Sequence, residues 1–259
     1  MFGRLRQIGQ QEKVLIEYND AEEKTIIITL NRPKKLNAMN GQLLDSLHQA
    51  VDRVASETKI ESVIFTSSVE RSFSSGIDTG FINNLRSRED VAEFFYRLQD
   101  LFEKIVKLDA TTIAAIEGYA FGAGADLALS CDLRIANRDT SFRFPGPQFG
   151  VVLGTQRLIE EIGASKARKL VLLNERIGVE DALSYGLIHE VQERETLQRA
   201  IHISRQLKSM PTTTERTIRT LCRKNDTLFN VDAREHAKQS ILEIDFHKTF
   251  NQFLQESRT

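Results

Sequence analysis

The sequence predicts an α/β fold with an all-helical carboxy-terminal part. Three observations carry that expectation. Up to about residue 155, apolar strand-like runs alternate with amphipathic helical segments. The strands are separated by helices and not by tight turns, which favours a parallel or mostly parallel sheet. Beyond that point almost every segment has helical spacing.

Taken in order, Val14–Tyr18 and residues 24–30 are β-branched runs separated by the polar NDAEE stretch, which suggests an antiparallel pair. GQLLDSLHQAVDRVASE follows with Leu44, Leu47, Val51 and Val54 at helical spacing. ESVIFTSS reads as a buried strand, and Val91, Phe94, Phe95, Leu98, Leu101, Phe102 and Ile105 form a helical stripe. TTIAAIEG is a second buried strand, residues 125–131 a helix, and LRIAN another strand. TQRLIEEIG, SKARKLVLL, VEDALSYG, residues 193–210, TTTERTIRTLCRK and residues 230–256 all look helical, interrupted by one short strand, LIHEV. The expected division is a core over residues 1–200 and a helical region over 201–259, serving as a small domain or an oligomer arm. No internal repeat is visible.

Composition narrows the function classes. With 41% hydrophobic and 27% charged residues, neither a disordered nor a fibrous chain is indicated. The 35 basic residues balance 36 acidic ones, so nothing steers the chain to nucleic acid or an anionic membrane. The amino terminus lacks the continuous apolar segment of a signal peptide, and no stretch approaches a membrane span. Cys131 and Cys222 are far apart, with no CxxC or Cys/His cluster, which fits a reducing compartment better than a disulfide scaffold or zinc site. A metal-free cytoplasmic protein is expected.

The stretch EGYAFGAGADLALSCD carries the chemistry. A strand ending in Gly122, Ala123, Gly124 and Ala125 before a helix aims backbone N–H groups, backed by the helix dipole, at whatever lies beyond the strand end. Close helix packing and a phosphate cradle are the alternatives. The loop lacks the GK[ST] ending of a P-loop, and Gly118, Gly122 and Gly124 do not make GxGxxG. RSFSSGIDTG has the same character, bringing Ser74, Ser75 and Gly76 just ahead of a predicted helix. Two such loops could each present one N–H to a single oxygen, the arrangement an oxyanion hole requires. A serine nucleophile at Ser74 or Ser75 is disfavoured, because the surroundings are not GxSxG. His48, His189, His202, His236 and His247 are scattered and read as surface or packing residues.

These segments resemble the enoyl-CoA hydratase/isomerase, or crotonase, superfamily. IAAIEGYAFGAGADLALSCDL is similar to its characteristic segment, SFSSGID to its first oxyanion-hole loop, and NRPKKLNAM to its early NRP…NA motif; GTQRL and GVEDALSYGLIHEV also look familial. The likeness runs from about Val14 to Phe253. It implies a spiral of ββα repeats with a helical trimerisation region, assembly as homotrimers or hexamers, and acyl-CoA thioesters as substrates with no separate cofactor. By matching motifs, the thioester oxygen would be held by the Ile77 and Ala123 N–H groups. Ser75, Gly76, Asp78, Gly122, Gly124 and Gly146 would line the substrate or CoA site.

The pattern also departs from the family. Resembling hydratases use two glutamates, one in the helix after the glycines and one in a later F-x-x-P-E loop, a paired acid–base task. Here the first position is Asp126 and the second is Gly146, and no carboxylate lies between Asp139 and Glu160. Aspartate keeps the charge and loses about 1.5 Å of reach. Arg143, Gln148 and Glu117 remain as candidate polar groups of the pocket, each with a plainer surface, interface or local capping role as the alternative. The first reading is therefore enoyl-CoA hydration or isomerisation with Asp126 as the single acid/base. A second keeps the oxyanion hole but decarboxylates or runs another enolate step. A third is a CoA-ester-binding subunit without chemistry.

Overall fold

The computed structural model describes residues 13–19, 24–223 and 233–256. Strand β1 (Val14–Tyr18) pairs antiparallel with β2 (Thr25–Leu30), as the sequence suggests. Strands β3 (Ser62–Ser67), β5 (Thr111–Ile116), β7 (Leu133–Asn137) and β10 (Glu190–Gln192) extend the sheet in parallel, in the order β1-β2-β3-β5-β7-β10.

A second sheet escapes the sequence reading. It consists of β4 (Ser72–Ser74), β6 (Tyr119–Phe121), β8 (Ser141–Arg143) and β9 (Ile177–Gly178), in that order, the first three parallel. Each of β3, β5 and β7 is followed by one of these short strands, so the chain climbs as a spiral, one long and one short strand per turn. Helices α2 (Thr79–Asn83) and α3 (Arg88–Val106) complete the first turn, and α4 (Ala123–Leu129) the second. This is the ββα repeat that the resemblance implies. Strands of two or three residues show no alternation of polar and apolar positions, so they leave no periodic signal. The link from β5 to β6 depends on Gly118: at φ +66°, a Cβ there would sit 2.1 Å from the Arg71 carbonyl.

The large sheet is buried on both faces, and its side chains divide by strand period. Ile26, Ile28, Val63, Phe65, Ala114 and Ile116 join the main core. Their alternates Ile27, Ile64, Ile113, Ala115 and Ile135 pack beneath Ala200 and Ile201 of α8 (Thr196–Leu207). On the main-core side lie α1 (Gly41–Ser56) and α3. Asn40 caps α1 by accepting the Leu43 N–H at 3.0 Å, and Ser87 caps α3 by accepting that of Asp90 at 3.0 Å. All seven apolar positions of the predicted α3 stripe are buried.

Helices α5 (Thr155–Ile162), α6 (Ala164–Leu172) and α7 (Val179–Tyr185) precede β10, and α9 (Thr212–Arg223), α10 (Ala233–Leu242) and α11 (Phe246–Glu256) follow α8. In the LIHEV segment only the last two residues enter β10, while Leu187 and Ile188 drop into the core. Phe246, Phe250 and Phe253 of α11 pack against the main core of their own chain. Phe246 and Phe250 are fully buried, and Phe149 meets the rings of Phe246, Phe250 and Phe253 at 6.2, 5.1 and 5.1 Å. Thus α11 is part of the main core and lies against the turn that carries Phe149. No helix among the described residues is long and apolar enough to cross a membrane.

Candidate active site

The site is assembled where two strand ends of the small sheet meet. After β4, the Ser75–Gly76–Ile77 loop is held by the NRPKKLNAM segment. Ser75 N donates to Leu36 O at 3.0 Å, Met39 N to Gly76 O at 2.7 Å, and Asp78 N to Met39 O at 2.8 Å. Asn37 anchors this segment from inside, donating to Ser67 Oγ at 2.7 Å and Phe73 O at 3.1 Å. The bridge between Met39 and Ile77 uses the Gly76 carbonyl and the Asp78 N–H, and leaves the Ile77 N–H out.

After β6 the backbone turns at Gly122, φ +47°, whose N–H donates to Arg143 O at 2.8 Å. Helix α4 opens with Asp126 N bonding to Gly122 O at 2.9 Å. Ala123 is its first residue, and an N–H at that position has no partner within a helix. The two loops touch through glycine. A Cβ on Gly76 would lie 2.9 Å from Phe121 O and 3.8 Å from Ala123 N, and one on Gly124 would lie 2.6 Å from Ser74 O. Any side chain at either position would force the loops apart.

Ile77 and Ala123 share a cavity of about 200 Å³ with Asp126. Its walls are aromatic: Phe95, Phe121, Phe144, Phe149, Phe250 and Phe253 all line it. Among the lining residues Asp126 is the only carboxylate. It is 4% exposed, and its Oδ1 takes no hydrogen bond. Burial pushes the carboxyl up to about 8, opposed by the positive charge of Arg157 one helix away. Gly154, at the start of α5, makes room for it; a Cβ there would stand 1.9 Å from Asp126 Oδ1.

Ser75, Gly76, Gly122 and Gly146 also line this cavity, whereas Gly124 packs against Ser74 outside it. The Asp78 carboxylate is occupied elsewhere, capping α2 through the Gly80 and Phe81 N–H groups at 3.0 and 3.1 Å and pairing with Arg32 at 2.6 Å. Gly146 begins a 3₁₀ turn closed by Val151 N donating to its carbonyl at 3.0 Å, and a Cβ there would meet Val151 O at 2.9 Å. The turn that would carry a second acid is therefore packed around the absence of a side chain.

The three polar candidates separate. Arg143 lines the cavity, half-buried. Gln148 is exposed and donates to Leu172 O at 3.4 Å. Glu117 caps α8, accepting the Thr196 N–H and hydroxyl at 3.3 and 3.1 Å. His48, His189, His202 and His247 lie outside the cavity lining, and the side chain of His236 lies outside the described residues. Gly154 and Arg157 are not legible as site residues in the sequence; GTQRL contains them as a familial motif, but it does not show that they face Asp126. Nor does the sequence show that Phe250 and Phe253 belong to the cavity wall.

A ββα spiral that brings two glycine loops and one buried acid to an apolar cleft defines an enzyme of the crotonase type. The chain belongs to the enoyl-CoA hydratase/isomerase family, whose model matches residues 20–258. It is 34% identical over 189 residues to a crotonyl-CoA hydratase of Syntrophomonas wolfei, covering 72% of this chain and 71% of that protein. It is 33% identical to a 2,3-dehydroadipyl-CoA hydratase of Escherichia coli, covering 71% and 72% of the two chains. The crystal structure of an enoyl-CoA hydratase/isomerase from Xanthobacter autotrophicus Py2 superposes with a TM-score of 0.84 at 25% identity, covering 95% of this chain and 93% of that one.

Proposed function

We propose that this enzyme forms the enolate of an enoyl-CoA thioester, with the Ile77 and Ala123 N–H groups holding the thioester oxygen and Asp126 moving the proton. The observation that carries this reading is the buried, unbonded Asp126 carboxyl, on the same cavity wall system as two N–H groups left out of the local hydrogen bonding. Negative charge builds on the carbonyl oxygen as an α-proton leaves, so donors fixed in advance are the main catalytic tool, and each is worth roughly 3–4 kcal/mol.

With one carboxyl and apolar walls, double-bond isomerisation fits better than hydration. Hydration asks two groups to hold and activate water. Isomerisation asks one. Ionised Asp126 takes a proton from the α-carbon of a β,γ-enoyl thioester, and the electron pair spreads into the carbonyl as a dienolate. The protonated acid then returns that proton to the γ-carbon, leaving the α,β-unsaturated thioester. Burial supports both halves, because an acid poised near 8 releases and recovers a proton within the working range.

The test is to supply 3-hexenoyl-CoA and follow the absorbance of the conjugated thioester. A rise with wild type that is lost in Asp126→Ala supports the proposal. A fall with crotonyl-CoA and no rise with the 3-enoyl substrate would replace isomerisation by hydration, and no change with either would remove both. Homotrimeric or hexameric assembly is proposed with it, to be checked by light scattering.

A further inference from the structure

We infer that Arg143 is an anion receptor for the acyl group, so that the substrate is an acyl-CoA carrying a carboxylate on its acyl chain; this rests on the acyl-CoA reading above. Arg143 ends β8, in register with Phe121 of β6, and lines the cavity that contains Asp126. One edge of its guanidinium is fixed: Nε donates to Asn174 Oδ1 at 2.9 Å and Asn174 O at 3.3 Å. Asn174 reaches it from a left-handed turn, φ 51°, a conformation that asparagine tolerates better than most residues. The two Nη groups have no hydrogen-bond or ion-pair partner among the described residues.

The remaining charges say what those groups await. The charge that acts on Asp126 is that of Arg157, so Arg143 is not its counter-ion. The neighbouring walls, Phe121, Phe144 and Pro145, offer no acceptor side chain. A half-buried guanidinium with a free fork, on a residue that lines a largely aromatic cavity, favours a planar anion, and a carboxylate matches it with two parallel bonds. The pantetheine arm next to a thioester is uncharged, and the CoA phosphates lie at its far end. An anion that reaches the cavity containing Asp126 therefore belongs to the acyl group.

Calorimetry with two unreactive thioesters of similar shape tests this. Glutaryl-CoA ends in a carboxylate and 5-methylhexanoyl-CoA in an uncharged isopropyl group. Wild type is expected to bind glutaryl-CoA about tenfold or more tightly than its partner, the range for a charge-assisted hydrogen-bonded pair. Arg143→Gln should bring the ratio to about one, and Arg143→Lys should retain part of it. A ratio within one protein preparation is insensitive to partial loss of fold. No preference in wild type overturns the inference, as does an equal loss of both ligands in Arg143→Gln, which would assign Arg143 to the CoA phosphates. Binding of the uncharged thioester alone would leave the acyl-CoA reading standing and sink this one, whereas binding of neither would sink both.

Discussion

Gly154 and Asp126 are fitted to each other: a Cβ on the glycine would stand 1.9 Å from the aspartate Oδ1. The glycine is also left-handed, φ +63°, so the turn into α5 and the space for the carboxyl have one cause. Gly154→Ala is expected to push the carboxyl off its position and lower kcat by at least about tenfold, since small misplacements at a reacting group are costly. In a double variant with Asp126→Ala the two losses should not add, which steady-state kinetics on all four proteins would show. Additive losses would mean that Gly154 acts through the fold alone.

Activity should depend on pH through the same carboxyl. A base that is neutral below about 8 is active only once ionised, so kcat/KM is predicted to climb through neutrality and level off above about pH 8. A pH–rate profile with a 3-enoyl-CoA checks it. A plateau from pH 5 upward would mean that an unshifted group does the work.

Stability should run the other way. The folded-state value of Asp126 is raised from 3.8 to about 8, so its contribution is fully present below the unfolded value and is lost as pH rises through the folded one. Asp126→Asn removes this titration. Between pH 5 and 8 the wild type should lose on the order of 3–4 kcal/mol relative to the variant. Urea unfolding of both proteins at the two pH values measures the difference directly; a constant difference would contradict the burial argument.

Restoring the second acid by Gly146→Glu should fail to create a strong hydratase. The new Cβ would meet Val151 O at 2.9 Å, so the turn must open to admit it. The expected result is a lower melting temperature and no large gain with crotonyl-CoA, read by calorimetry and turnover. A gain of a hundredfold at unchanged stability would show that the turn is more compliant than its packing implies.

Much of this was legible in the sequence, for reasons that particular residues make plain. The α3 stripe announces itself because burial on one face imposes a helical period on it, and β2, β3 and β5 because burial on both faces makes each a continuous run of six residues rich in β-branched side chains. The short strands of the second sheet were invisible because three residues such as Ser72–Ser74 are too few to show one. At the site, the Gly122–Asp126 run and SSGI were readable because glycine is required where backbones meet. Arg157 and Phe250 were not, because their place beside Asp126 and Phe149 comes from helix packing across long sequence separations. Glu117 lay beside the glycine turn in sequence, yet its carboxylate serves a helix 79 residues away.

The central claim is that this cavity makes an enolate with Asp126 as its base, and exchange of the α-hydrogens of a saturated thioester tests it without reference to the later bond changes. Butyryl-CoA incubated with the enzyme in deuterium oxide, followed by proton NMR, should lose its α-proton signal with wild type. With Asp126→Ala it should keep that signal. Retention of the α-protons by wild type, or equal exchange by both proteins, would contradict the account.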